Sequence, residues 1–170
     1  SPEQAARLLD TMRSAGLLSA HTDYLGAEQL GVTGAKAQQW LMQLGYAERW
    51  FELARAAISR FDARLRRGIA EADGNLRVLA ARLPHEYPLL PASELEALLE
   101  NIEAAEDLGL ALHGRVTPVT QALLHGDEDT ARELATHEMP SDVAGVYVQP
   151  DLSIIVPGPL PPADEAMLHA

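Results

Sequence analysis

Between Trp50 and Leu65 apolar residues return every three or four positions, at Trp50, Leu53, Ala54, Ala57, Ile58, Phe61 and Leu65. Only an α-helix brings such positions onto one stripe, so the spacing predicts a helix over 47–67 that buries this face. Gly68 is expected to end or interrupt it. The same signature recurs nearby. Ala5, Leu8, Leu9 and Met12 predict a helix over 2–15 with Gly16 as its stop, and Ala37, Trp40, Leu41 and Leu44 predict one capped by Thr33 and ended by Gly45. Asp23 reads as the cap of a short helix ending near Gly31. Leu76, Leu79, Ala80 and Leu83 predict one more helix, stopped before Pro84.

Pro84, Pro88 and Pro91 mark a connector, and a subdomain boundary is placed there. Ser93 with Glu96 has the form of a capping box before Leu95, Leu98, Leu99, Ile102 and Ala105. Leu110-Ala111-Leu112 and Arg115-Val116-Thr117 flank His113-Gly114, which predicts a tight hairpin. Thr117-Pro118 is a cap followed by proline at the first helical position, Gly126 closes that helix, and Asp127 caps another through about Glu138. The β-branched runs 143–149 and 152–156, separated by Pro150-Asp151, predict a second hairpin. Pro157-Gly158-Pro159 ends it, and a last helix is expected over 162–168. The expected fold class is α+β, mostly α. It comprises a helical part over 1–83, a winged-helix-like centre over 84–140 and a C-terminal β-hairpin segment over 141–170. No internal repeat is present.

A chain of 170 residues, 47% of them hydrophobic, buries roughly two-thirds of its unfolded surface and folds without a metal or disulfide. It has no cysteine, which excludes disulfides, thiolate zinc sites, iron–sulfur clusters and a cysteine nucleophile. This composition fits a reducing cytoplasm. No apolar run reaches the roughly 18 residues that a membrane span needs, and Ser1-Pro2-Glu3-Gln4 lacks the basic and apolar parts of a signal peptide. The net charge of −12 opposes a surface that grips nucleic acid everywhere. The charge is uneven, however. Residues 49–82 hold eight arginines against Glu52, Asp62, Glu71 and Asp73, while residues 83–170 hold only Arg115 and Arg132 against sixteen acids.

One stretch has a recognisable form: Val146-Tyr147-Val148-Gln149-Pro150-Asp151-Leu152-Ser153-Ile154-Ile155-Val156-Pro157-Gly158-Pro159-Leu160. It resembles the hairpin that opens the accessory domain of XPB-type helicase-associated proteins, a mostly bacterial family. Upstream, Ala104-Ala105-Glu106-Asp107-Leu108-Gly109-Leu110, Gly114-Arg115-Val116-Thr117 and Ala122-Leu123-Leu124-His125-Gly126-Asp127 are similar to the winged-helix stretch before that hairpin. Glu48-Arg49-Trp50-Phe51-Glu52-Leu53-Ala54-Arg55-Ala56 is similar to an earlier helix of the same proteins. The resemblance covers about residues 47 to 162 and is strongest over 104–160. It implies an accessory or interaction module rather than a motor. Family members continue well past the Pro-Gly-Pro-Leu turn, whereas this sequence ends at Ala170. The sequence is expected to be either a truncated piece or a shorter relative, and in the first case its last strands would stay unpaired or pair with another copy.

No catalytic constellation emerges. Gly31-Val32-Thr33-Gly34-Ala35-Lys36 lacks the spacing of a phosphate loop, and no Gly-x-Ser-x-Gly is present. The histidines His21, His85, His113, His125, His137 and His169 lack metal-ligand spacing, so no metal and no cofactor is expected. Glu94, Glu96, Glu100, Glu103, Glu106 and Asp107 read as the solvated face of one helix.

Two groups remain as candidate sites. Arg60, Arg64 and Arg67, at i, i+4 and i+7, would share a helix face, and Arg115 would stand at the hairpin tip. Forked guanidinium donors match phosphate oxygens, so these four are the candidate nucleic-acid contacts. Val146, Val148, Ile154 and Val156 would form an apolar strand edge for a protein partner or a second copy. The expected function is a non-enzymatic accessory module of a helicase or DNA-repair system, acting by protein contact with at most weak DNA binding. The alternative is a winged-helix regulatory or self-associating protein without a helicase link.

Overall fold

The computed structural model describes residues 1–22, 24, 26, 28–31, 34–143, 145–149, 151 and 153–168. Its first helix, α1 (Pro2–Ser14), begins with a capping box: the Ser1 hydroxyl accepts from the Gln4 backbone N–H and the Gln4 amide oxygen accepts from the Ser1 ammonium at 2.7 Å. The short helix expected up to Gly31 is instead an antiparallel pair, β1 (Ser19–Thr22) and β2 (Glu28–Gly31), in register from Ser19↔Gly31 to Thr22↔Glu28. No apolar stripe of helical period runs through these residues, so nothing would hold a helix there against the rest of the chain. The expected caps Asp23 and Thr33 lie outside the described residues, and α2 (Ala35–Met42) starts from Gly34 without a side-chain cap.

The long helix expected over 47–67 is two helices, α3 (Tyr46–Ser59) and α4 (Ala63–Glu71). Three interactions make the break. The Arg60 and Phe61 N–H groups close back onto Ala57 and Ile58 in a tightened turn. The Asp62 carboxylate caps α4, accepting from the N–H groups of Arg64 and Leu65 at 2.9 Å each. Arg66 donates to the carbonyls of Ile58 and Phe61 at the end of α3 and to Leu124, 58 residues away. Gly68 does not end the helix; it sits buried inside α4, where Leu79 packs against it.

Asn75 caps α5 (Leu76–Glu86), which runs through Pro84 rather than stopping before it. Proline removes one hydrogen bond, and the Tyr87 N–H still closes onto Leu83 at 3.0 Å. α6 (Ala92–Asp107) starts after Pro91, so Ser93 falls in the first turn and forms no cap; the Glu94 and Leu95 N–H groups bond to the Pro91 carbonyl. The hairpin of β3 (Ala111–Leu112) and β4 (Arg115–Val116) turns at His113 and Gly114, both at positive φ, as a two-residue turn of its twist requires. Residues 74–76 lie along β4: Leu76 N–H donates to Gly114, Val116 N–H donates to Gly74, and Asn75 bridges Arg115. Thr117 caps α7 (Pro118–His125) and Asp127 caps α8 (Glu128–Glu138), as expected.

The last hairpin is shorter than its β-branched runs. Only β5 (Tyr147–Val148) and β6 (Ile154–Ile155) pair, because Val143 turns away to bond Pro159 at 2.7 Å. α9 (Pro162–Leu168) follows. Among the described residues the architecture is helical with three short antiparallel strand pairs, an α+β fold dominated by helix. One buried cluster draws on α3 through α8, including Phe51, Leu65, Leu79, Leu98, Val119 and Ala135, and crosses the 84–91 connector without a gap. No described helix is long and apolar enough to cross a membrane.

Candidate interaction surface

Of the four arginines expected to meet phosphate, Arg64 and Arg67 stand one turn apart on α4, whereas Arg60 ends α3 and Arg115 lies on β4. Arg60 closes α3 and reaches Asp10 of α1 at 4.0 Å, while one of its guanidinium nitrogens is buried without a hydrogen-bond partner. Arg64 on α4 pairs with Asp62 at 2.7 Å and with Glu94 of α6 at 3.2 Å. Arg67 donates to the Tyr87 hydroxyl at 3.0 Å. Arg115 on β4 donates to the Asp73 carboxylate at 2.7 Å and to the Asp73 carbonyl at 2.9 Å. The break after Ser59 is what separates Arg60 from Arg64 and Arg67, so the shared helix face does not form. Pairs this exposed contribute little individually, yet Arg60, Arg64 and Arg115 each face a carboxylate, and Arg67 a phenol hydroxyl, that a phosphate would have to displace.

Arg66, which lies between the candidates Arg64 and Arg67 in sequence, has a structural part of its own. Its guanidinium holds the end of α3 to the end of α7 through three carbonyl oxygens, a role with no local signature. Lys36, from the glycine-rich stretch near the start of α2, is likewise structural: its ammonium donates to the Ala15 carbonyl at 2.6 Å. Among the described residues no three His, Asp or Glu side chains converge as metal ligands.

The apolar strand residues are exposed. Tyr147 is 68% and Val148 66% accessible, and Ile154, Ile155 and Val156 are each close to half accessible. Val146 is half-buried. Since neighbouring strand residues point to opposite faces, both faces of this two-stranded ribbon carry uncovered apolar side chains. Its base is held firmly. Asp142 accepts from the Tyr46 N–H at 3.2 Å, Val143 bonds Pro159, and Arg49 pairs with Glu165 at 3.1 Å. Leu160 is buried in a cleft lined by Trp40, Trp50 and Leu53. The indole N–H groups that shape this cleft donate to the Arg49 and Leu108 carbonyls. An anchored base with an apolar ribbon beyond it presents the ribbon outward.

Two carboxylates that tie segments together, Asp62 and Asp107, are held below their ordinary value, as are the exposed Asp127 and Asp151. Partial burial alone raises Asp62, but the Leu65 N–H and the Arg64 guanidinium outweigh it and hold the group below its ordinary value of 3.8. At Asp107 burial is likewise outweighed, by Arg7 at 2.7 Å and Gln4 at 3.0 Å from α1. A depressed folded-state pKa stabilises the protein above the unfolded value, and that contribution is lost as pH falls through the folded one. Melting temperature is therefore expected to drop as pH falls below 3.8. The Asp62→Asn/Asp107→Asn pair, which keeps one acceptor oxygen at each position but does not titrate, is expected to make that limb shallower in circular-dichroism melts. An unchanged limb would mean that other groups carry it. Compared with known proteins, the chain matches no family model, no curated protein and no solved structure.

Proposed function

We propose that this chain is a non-enzymatic accessory module of a helicase or DNA-repair system that works by protein contact, with at most weak DNA binding, in the cytoplasm. The observation that carries the reading is the β5–β6 ribbon: apolar on both faces, anchored at its base and, among the described residues, joined by no third strand. Such a ribbon suits strand addition by a partner protein or by a second copy. The likeness of residues 146–160 to the helicase-associated hairpin supports the same assignment. The occupied arginines argue against tight phosphate binding.

Fluorescence anisotropy against single-stranded, duplex and forked DNA, at about 50 and 200 mM salt, tests the nucleic-acid half of the reading. Weak or absent binding is expected. A tight complex that weakens with salt and is lost in Arg60→Glu/Arg64→Glu would overturn it. For the ribbon, Val148→Asp/Ile154→Asp is expected to leave stability within about 0.5 kcal/mol, as at other exposed positions. The same pair removes ribbon-mediated association in sedimentation velocity.

A second reading has one observation in its favour. The order α4, the Asn75 bridge, α5, α6, then the β3–β4 hairpin is the order of a winged helix, which would make the chain a regulatory DNA binder. In that reading two α6 helices of a dimer would lie about one DNA turn apart. Glu94, Glu96, Glu100, Glu103, Glu106 and Asp107 make α6 acidic, the wrong sign for a helix in a DNA groove.

A further inference from the structure

We infer that the groove between α1 and α6 docks a basic amphipathic helix of a partner protein. The groove has a volume of about 720 Å³. Its floor is apolar, made by Ala6 of α1 with Leu95 and Leu99 of α6. Its walls are anionic: Glu3 and Asp10 on α1, and Glu96, Glu100 and Glu103 on α6, five carboxylates against the guanidiniums of Arg7 and Arg60. Arg7 is already held by Glu103 and Asp107 at 2.7 Å each, and Arg60 stands 4.0 Å from Asp10.

Glu96 and Glu100 have no ion-pair partner within 4.0 Å among the described residues. They stand one turn apart on α6, a like-charge spacing that costs an isolated helix stability. An apolar floor between uncompensated acids fits one kind of occupant: a helix with leucine-like residues on one stripe and lysine or arginine beside it. The run of α6 from Ala92 to Glu103 spans roughly 18 Å, about three turns of such a helix.

Charge separates this occupant from the others. Nucleic acid and anionic membranes are repelled by the walls. A second copy offers as its arginine-rich helix only α4, whose Arg64, Arg66 and Arg67 are engaged within their own chain. A metal ion is not served, because among the described residues no three ligands converge. The inference does not need the helicase link and does not use the β5–β6 ribbon.

The probe is a fluorescein-labelled 18-residue peptide of leucine and lysine with leucine at helical spacing, compared with a scrambled isomer of the same composition. Anisotropy titration is expected to show one-to-one binding, with the scrambled isomer at least about fivefold weaker. Glu96→Lys/Glu100→Lys is expected to weaken the patterned peptide about tenfold or more. The control Glu133→Lys/Glu138→Lys changes the net charge equally on α8 and is expected to leave binding within about twofold. All four positions are exposed, and circular dichroism verifies that each variant is folded. Equal binding of both isomers, equal loss in both variants, or no loss in Glu96→Lys/Glu100→Lys would each overturn the inference. Val148→Asp/Ile154→Asp leaves peptide binding unchanged if the groove acts alone, so failure here is separable from failure of the ribbon.

Discussion

Replacing Phe51 with alanine is expected to cost about 3–5 kcal/mol, a large share of the stability of a domain this size. Phe51 is fully buried near the middle of α3, in the cluster that α3 shares with α6, α7 and α8. Truncation removes the transfer energy of the ring and leaves a cavity that helices on several sides cannot close together. The ring also carries a cation: the Arg132 guanidinium lies 4.4 Å from its centroid and is paired with Glu48. Phe51→Leu refills most of the volume and should cost less than about 1.5 kcal/mol from packing, plus roughly 0.5–1 kcal/mol for the lost cation–ring contact. Urea unfolding followed by circular dichroism reads both values. Equal losses in the two variants would show that ring volume is not what matters at this position.

Gly74→Val is expected to cost about 2–5 kcal/mol, from two separable sources. Gly74 has φ of +72°, where an ordinary side chain loses roughly 1–2 kcal/mol and a β-branched one is worst placed. An added Cβ would also stand 2.8 Å from a Val116 methyl, and overpacking of this kind costs about 1–3 kcal/mol. The position joins two elements: its N–H donates to Ile69 at the end of α4 and its carbonyl accepts from Val116 on β4. Gly109→Val supplies the comparison, since Gly109 has the same φ of +72° with nothing within 4 Å of its would-be Cβ. The excess loss at Gly74 measures the contact with the hairpin. If the two variants melt together, residues 74–76 are not packed on β4.

Local signals were legible where they act within a few residues. The two-residue turn at His113-Gly114, the caps at Thr117 and Asp127, and the last helix from Pro162 follow from backbone preference and side-chain capping alone. The candidate strand residues were legible as apolar and β-branched. Their exposure was not, because it depends on what else covers them. The acids of α6 were legible as exposed, but not that Glu103 and Asp107 hold Arg7 of α1 or that Glu94 holds Arg64, and the apolar groove beside them exists only because α1 packs there. The arginine face failed for a specific reason. Over 58–63 a continuous stripe and a capped break differ little in local energy, and the periodicity favoured continuation. The choice fell to the Asp62 cap and to Arg66, whose partner Leu124 is far off in sequence.

The sequence by itself determined that the chain is mostly helical, where most helices lie, the tight turn at His113-Gly114, the lack of thiol chemistry and the acidic balance, because periodicity, capping and composition are properties of neighbouring residues. The tertiary structure alone decided the break between α3 and α4, the β1–β2 pair, the separate partners of the arginines and the groove between α1 and α6. Each of these depends on burial and charge pairing between segments that meet only once the chain has folded.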